Sequence, residues 1–253
     1  MGLKNIIQKS EGKVFYLTII LLFVFLLAAV LMFFEFNFFS NFLNPSNEIS
    51  NEENGEIENL AEIEKEESQL EKLIYNRQSV RNFQNQPVSI DNISKILWST
   101  TGITVDGTSG PTRAAPSAGA TNPLEIFLSA HDIEDLESGI YHYRPEKDQL
   151  IKKVDRNQSE LLAEAALNQE AVGNAAAVVI ITADYSRTTE RYGDRGQKYV
   201  HFEAGHAAQN VNLMAENLDL GSVTIGAFED EEITSLLGEV DYQPLLLIPV
   251  AVP

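Results

Sequence analysis

The chain contains no cysteine, so disulfides, thiolate metal sites and a cysteine nucleophile are all excluded. It is also poor in positive charge. Lysine and arginine number 18 against 37 acidic residues, for a formal net charge of −19. That balance excludes nucleic-acid binding, which needs a concentrated basic face, and it sets the chain against anionic membrane surfaces. No G-x-S-x-G elbow, Walker A loop or G-x-G-x-x-G turn occurs, so the nucleophile and nucleotide cradles those motifs build are not available. The four histidines, His131, His142, His201 and His206, have no ligand spacing apart from one Glu-x-x-His pair discussed below.

What is present is unevenly distributed. Val14 to Phe34 is an uncharged apolar run, long enough as a helix to span the roughly 30 Å hydrocarbon core of a bilayer. It lacks the small-residue cleavage pattern of a signal peptide. A retained transmembrane helix is therefore expected over residues 14–34. Lys4, Lys9 and Lys13 precede it, and no basic residue follows until Lys65. This bias predicts a cytoplasmic N-terminus over residues 1–13 and an extracytoplasmic location for the bulk of the chain. Residues 35–71 then read as an acidic linker leading into a helix, and residues 72–253 as one globular domain.

Within that domain the periodicities alternate. Asp91–Thr101, Ser159–Asn168, Gln197–Leu220 and Asp230–Leu237 read as helices, and Thr104–Asn122 as a loop rich in small residues. Leu124–Ala130, Gly139–Arg144, Gln149–Val154, Ala175–Ala183, Ser222–Ala227 and Pro244–Val252 read as strands. Helices and strands mixed in this order predict an α+β domain with one central mixed or antiparallel sheet flanked by helices.

Several segments could carry chemistry. Arg77-Gln78-Ser79-Val80-Arg81 places two arginines and a hydroxyl together in an acidic chain, a donor set suited to phosphate. Alone, it reads more readily as a solvated helix end with two unrelated surface arginines. The small-residue loop Arg113–Pro123, with Ser117 and Gly119, would let a ligand approach the backbone. The strand Gly221–Gly226 ends where backbone donors could face a ligand. On the long helix, Val200, Ala204, Ala207, Val211, Met214 and Leu218 form a buried stripe, and Gly205 and Ala208 thin the neighbouring face. Glu203-x-x-His206 is half of a carboxylate-bridged metal pattern, but no second copy accompanies it. A helix-pairing hydrogen bond is the better reading of that pair.

In chain order, Arg77-Gln-Ser-Val-Arg81-Asn-Phe, Ala115-Pro-Ser-Ala-Gly-Ala-Thr-Asn-Pro-Leu-Glu-Ile-Phe127 and Gly139-Ile-Tyr-His-Tyr143 resemble the nitroreductase superfamily. So do Arg191-Tyr-Gly-Asp-Arg-Gly196, Glu203-Ala-Gly-His-Ala-Ala-Gln-Asn210 and Gly221-Ser-Val-Thr-Ile-Gly226. The resemblance covers about residues 72–253 and is nearest to the branch of dehydrogenases and azoline oxidases. It implies an FMN-dependent oxidoreductase working as a homodimer, with hydride transfer through flavin N5 to or from a small organic or peptide substrate. It further implies that Arg77 and Ser79 hold the phosphate and ribityl chain, within a segment that includes Gln78. Arg81 would approach the flavin's polar edge, Ser117 and Gly119 would line the flavin, and Ile225 and Gly226 would contact the ring. Lys198-Tyr199 resembles the proton-transfer pair of azoline oxidases.

Three departures stand out. Ala120 replaces an asparagine common in relatives, Asn122 stands where an aromatic is frequent, and the last strand ends without a basic residue. Phosphate binding then leans on Arg77 and Ser79. NAD(P)H is a possible electron donor, although an extracytoplasmic domain would need another, such as a membrane quinol or the substrate itself. The alternative from a different class is a membrane-tethered interaction module, flavin-binding or flavin-free, without turnover.

Overall fold

A capping box opens the first helix of the described residues. Ser68 accepts from the Glu71 N–H, and the Glu71 carboxylate accepts from the Ser68 N–H at 2.6 Å, opening helix α1 (Gln69–Asn76). The structure is a computed structural model that describes residues 68–107, 110–238 and 240–253. After α1 the chain runs extended along a sheet edge to α2 (Ile90–Thr101), which Ser89 caps through the Asn92 N–H. Strands β1 (Ile103–Gly107) and β2 (Gly110–Arg113) pair as an antiparallel ribbon where the sequence reads as loop.

The main sheet has six strands: β3 (Leu124–Ala130), β4 (Gly139–Arg144), β5 (Gln149–Val154), β6 (Ala177–Ala183), β7 (Gly221–Ser222) and β8 (Gln243–Ala251). Their spatial order is β5-β4-β3-β6-β8-β7, and every ladder is antiparallel. All seven residues of β6 are buried, as expected of a strand covered on both faces. Its side chains still alternate. Val179 and Ile181 join a core with Ile126, Leu128, Ile93, Leu97, Val200 and Val211. Val178 and Ile180 join the opposite core with Phe127, Ile140, Leu162, Ile233 and Leu247.

The first face is covered by α2 and by the long helix α6 (Arg195–Asn217). The expected stripe on α6 holds: Val200, Ala204, Ala207 and Val211 are buried, and Met214 and Leu218 are partly buried against the same core. The second face is covered by α3 (Ser159–Ala165), α4 (Glu170–Gly173) and α7 (Asp230–Leu236). Helix α5 (Ser186–Tyr192), not anticipated from sequence, packs beside the start of α6.

The membrane expectations are corrected. Among the described residues no helix is long and apolar enough to cross a membrane. The longest, α6 with 23 residues, has the length but carries Arg195, Lys198, Glu203 and Glu216. The expected span Val14–Phe34 lies outside the described residues. The domain is an α+β sheet with flanking helices, and neither the membrane tether nor the localisation drawn from it is carried forward. The expected homodimer is not carried forward either, since the structure describes a single chain and supplies no evidence for that state.

Candidate functional site

The expected site residues fall into two groups. The first runs along β7. Val80 donates its N–H to the Ser222 carbonyl at 2.9 Å, and Gln84 donates to Val252 at 2.9 Å. A Cβ on Gly221 would lie 2.8 Å from Val80 Cγ1, so the glycine lets the Arg77–Arg81 segment pack close. Arg77 closes α1, its N–H donating to Leu73 at 3.0 Å, and is half-buried; Gln78, Ser79 and Arg81 are exposed. Neither arginine forms an ion pair among the described residues. Asn212 of α6 braces the edge: its amide donates to the Thr224 hydroxyl at 3.0 Å and its carbonyl accepts from the Ser222 hydroxyl at 3.0 Å.

Ile225 and Gly226 follow. The Ile225 side chain is buried, and its N–H and carbonyl are both engaged by Leu247, at 2.8 and 2.9 Å. Its contribution to any ligand is therefore confined to shape. Gly226 is exposed, and a Cβ there would meet only Leu246 Cδ2 at 3.8 Å. The chain's own packing does not require glycine at this position. A groove of about 460 Å³ lies nearby between Ala204, Gly205 and Ala208 of α6 and Thr224, Leu245 and Leu246.

The second group is built on the small-residue loop. Gly119, Ala120 and Asn122 all take positive φ, at 60°, 56° and 46°. Successive left-handed residues turn backbone N–H groups toward one side, at a strain cost for the two that are not glycine. The loop is held from four directions. The Asn122 N–H donates to Ser117 Oγ at 2.9 Å, and the Asn122 amide donates to the Ala120 carbonyl at 3.0 Å. Thr121 and Thr188 share a hydroxyl bond of 2.8 Å, and Arg187 donates to the Asn122 carbonyl at 3.0 Å.

Lys198 and Tyr199 lie beside this loop through a relay of rings. Arg191 donates to the Gly119 carbonyl at 2.8 Å, and Tyr192 meets Tyr199 edge to face at 5.1 Å. The Tyr199 hydroxyl accepts from Arg195 Nε at 2.9 Å, while the exposed Lys198 reaches over the Phe202 ring at 5.5 Å. Arg191 and Tyr192 sit in a sequence motif that could have flagged them, although nothing in the sequence shows that they cover Gly119.

Beneath the loop lies a network that sequence reasoning missed. Glu125 of β3 accepts from Arg187 at 2.6 Å and bonds His142 at 2.6 Å, and the His142 ring stacks on Phe127 at 4.5 Å. Burial works against the Glu125 carboxylate, but the His142 and Arg187 hydrogen bonds outweigh it and hold its pKa below the usual range. Glu203 is buried on α6. Desolvation raises its pKa to about 7, opposed by the Ser117 side chain, the Ala118 N–H and the Arg113 charge. His206 is exposed, so Glu203 and His206 do not face a common point. Among the described residues no cluster of His, Asp and Glu could hold a metal.

With the geometry set out, comparison with known proteins identifies the lineage. The Nitroreductase family matches residues 74–252. A nitroreductase-type protein of Methanocaldococcus jannaschii is 45% identical over 185 residues, covering 73% of this chain and 91% of that protein. A nitroreductase-type structure from Anabaena variabilis superposes with a TM-score of 0.65 at 29% identity, over 73% of this chain. This chain spans only 38% of that Anabaena chain. A chain of the Escherichia coli microcin synthetase complex superposes with a TM-score of 0.65 at 20% identity, covering 85% of this chain and 81% of that one. At that identity the likeness is one of fold alone. On the extent of the family match and the archaeal identity, the chain belongs to the nitroreductase family.

Proposed function

We propose that the chain is an FMN-dependent oxidoreductase that passes hydride to or from a small organic or peptide substrate. Family membership supports an enzymatic role and FMN with an NAD(P)H-type donor as the class of cofactors. When bound, FMN supplies a ring that accepts and donates hydride at N5. The chain's own residues bind and orient. Arg77, Arg81 and the Ser79 hydroxyl form the anion-binding set, with Gln78 as a further polar donor in the same segment. Gly226 leaves room at the strand end for a planar group, and Ile225 backs it from the core. Ser117 and Gly119 shape the loop that lines the other part of the site. Lys198 and Tyr199 are the candidates for holding a proton near the substrate, with Arg195 orienting the Tyr199 hydroxyl.

The observation that carries the reading is the Arg77–Arg81 segment packed on Gly221–Ser222, with neither arginine in an ion pair among the described residues. The donor set and the uncontested space at Gly226 both fit a phosphate-bearing flavin. The finer assignment to the azoline-oxidase branch rests on Lys198-Tyr199. Purified full-length chain should take up added FMN, with a bound-flavin visible spectrum. Arg77→Ala should weaken uptake about tenfold or more, the scale of one lost charge-assisted contact. A colourless chain that quenches no FMN fluorescence would overturn the proposal.

A further inference from the structure

His201 has no part in the proposed chemistry, yet it lines the groove of about 460 Å³ between α6 and the start of β8. Among the described residues the rest of that lining carries no carboxylate, lysine or arginine, a gap in so acidic a chain. Its other polar groups, Gln209, Asn212 and Thr224, are neutral. Walls of this kind suit an uncharged ligand, because a charge desolvated against them would find no counter-charge. His201 Nε2 and the Tyr185 hydroxyl are 2.6 Å apart, and the two rings meet edge to face at 5.7 Å. Tyr185 is itself fixed. It is partly buried against the first core, and its carbonyl accepts from the Thr188 and Thr189 N–H groups at 3.1 and 2.9 Å. One turn along α6, Gly205 lines the same groove. A Cβ there would meet nothing within 4 Å, so the chain's own packing does not require glycine, and glycine weakens a helix interior. Its absent side chain leaves room beside His201 for something outside the chain.

We infer that His201 is a specificity-determining residue of this groove: with Tyr185 donating to Nε2, its Nδ1–H is left to donate to a carbonyl of a neutral planar ligand seated against Gly205. A phenol hydroxyl donates more readily than it accepts, and a bond received at Nε2 places the proton of the neutral ring on Nδ1. Nδ1 has no other partner among the described residues. Tyr185 therefore sets which hydrogen-bonding face the imidazole offers. A ligand carrying a carboxylate is disfavoured twice, by neutral walls that cannot pair it and by a chain of net charge −19. Calling the ligand a substrate rests on the FMN reading; the anchor formed by Tyr185 and His201 does not.

The experiment uses full-length wild type, His201→Phe, Tyr185→Phe and Gly205→Ala. The probes are coumarin, a neutral planar carbonyl compound, and coumarin-3-carboxylate. Ring-nitrogen chemical shifts of His201, recorded without FMN at about pH 9, should report the Nδ1–H tautomer in the wild type and a mixture of tautomers in Tyr185→Phe. Coumarin should shift those signals as it is titrated in, and coumarin-3-carboxylate should bind about tenfold more weakly. Coumarin affinity should fall about fivefold in His201→Phe, the scale of one neutral hydrogen bond, and by a similar factor in Gly205→Ala, where the groove is narrowed. An Nε2–H ring in the wild type, or the same tautomer in Tyr185→Phe, would overturn the role of Tyr185. Coumarin that leaves the His201 signals unmoved would overturn the site. So would an affinity unchanged in His201→Phe or Gly205→Ala, or a carboxylate that binds as well as coumarin. A chain that binds coumarin through His201 but takes up no FMN sinks the functional proposal while supporting the anchor.

Discussion

Arg191 donates from Nη1 to the Gly119 carbonyl at 2.8 Å, and that bond needs residue 119 to be glycine. A Cβ at Gly119 would collide with the Tyr192 hydroxyl and lie 2.7 Å from Arg191 Nη1, and the backbone there has φ of 60°. Gly119→Ala should therefore cost about 1–3 kcal/mol in urea unfolding, from strain and the displaced side chains together. An unchanged midpoint would show that the loop relaxes freely and that Arg191 and Tyr192 do not fix it.

Gly226 and Gly205 make the opposite case. Gly226→Ala meets only Leu246 at 3.8 Å, so stability should be unchanged within about 0.5 kcal/mol while FMN binding weakens. Gly205 is in the interior of α6 with nothing within 4 Å of its would-be Cβ, so Gly205→Ala should stabilise by about 0.5–1 kcal/mol. Thermal unfolding and FMN titration on both variants separate the two roles. A Gly226→Ala chain that binds FMN as tightly as wild type would mean the open space there is not used.

The strands Leu124–Ala130, Gly139–Arg144 and Gln149–Val154 were legible residue for residue, because each is a short β-rich run ended by turn residues. The hairpin Ile103–Arg113 was not. Its threonines, glycines and proline carry loop chemistry, and its pairing comes from cross-strand bonds such as Thr104 to Thr112 at 2.8 Å. The strand expected over Ser222–Ala227 is shorter, because the backbone leaves β8 after Ser222 and rejoins it only at Ile225. At the site, the arginine cluster was visible from charge scarcity. Glu203 stands out in the sequence only by its spacing to His206. Its structural neighbours, Ser117 and Thr101, lie in distant segments that no local pattern connects to it.

Glu125 predicts the acid behaviour of the fold. Its pKa is lowered, so the stabilisation it provides is fully present above the unfolded value near 4.5 and is lost as pH falls through the folded value below that. Arg187→Ala removes one of the two hydrogen bonds responsible. Arg187 is partly solvated, so the cost at pH 7 should be modest, about 1–2 kcal/mol, and should be smaller at a pH below the ordinary carboxylate range. Urea titrations at the two pH values measure it. A difference that stays constant between them would assign Arg187's contribution to packing or to its bond with Asn122 instead.

Glu203 acts in the reverse sense. Its folded pKa, about 7, lies above the unfolded value of 4.5. Below that unfolded value both states are protonated and the side chain costs nothing electrostatically. Between 4.5 and about 7 the unfolded chain releases the proton while the folded chain keeps it, so stability declines as pH rises, and it levels off above 7. Glu203→Gln has no charge to bury. Its stability relative to wild type should therefore rise by on the order of 1–3 kcal/mol between pH 5 and pH 8, whatever offset the amide introduces at the lower pH. Paired urea unfolding curves at those two values give the difference directly. Parallel pH dependences in the two chains would place the Glu203 carboxyl in contact with solvent. A decline confined to the wild type would assign the cost to ionising the buried Glu203 carboxyl.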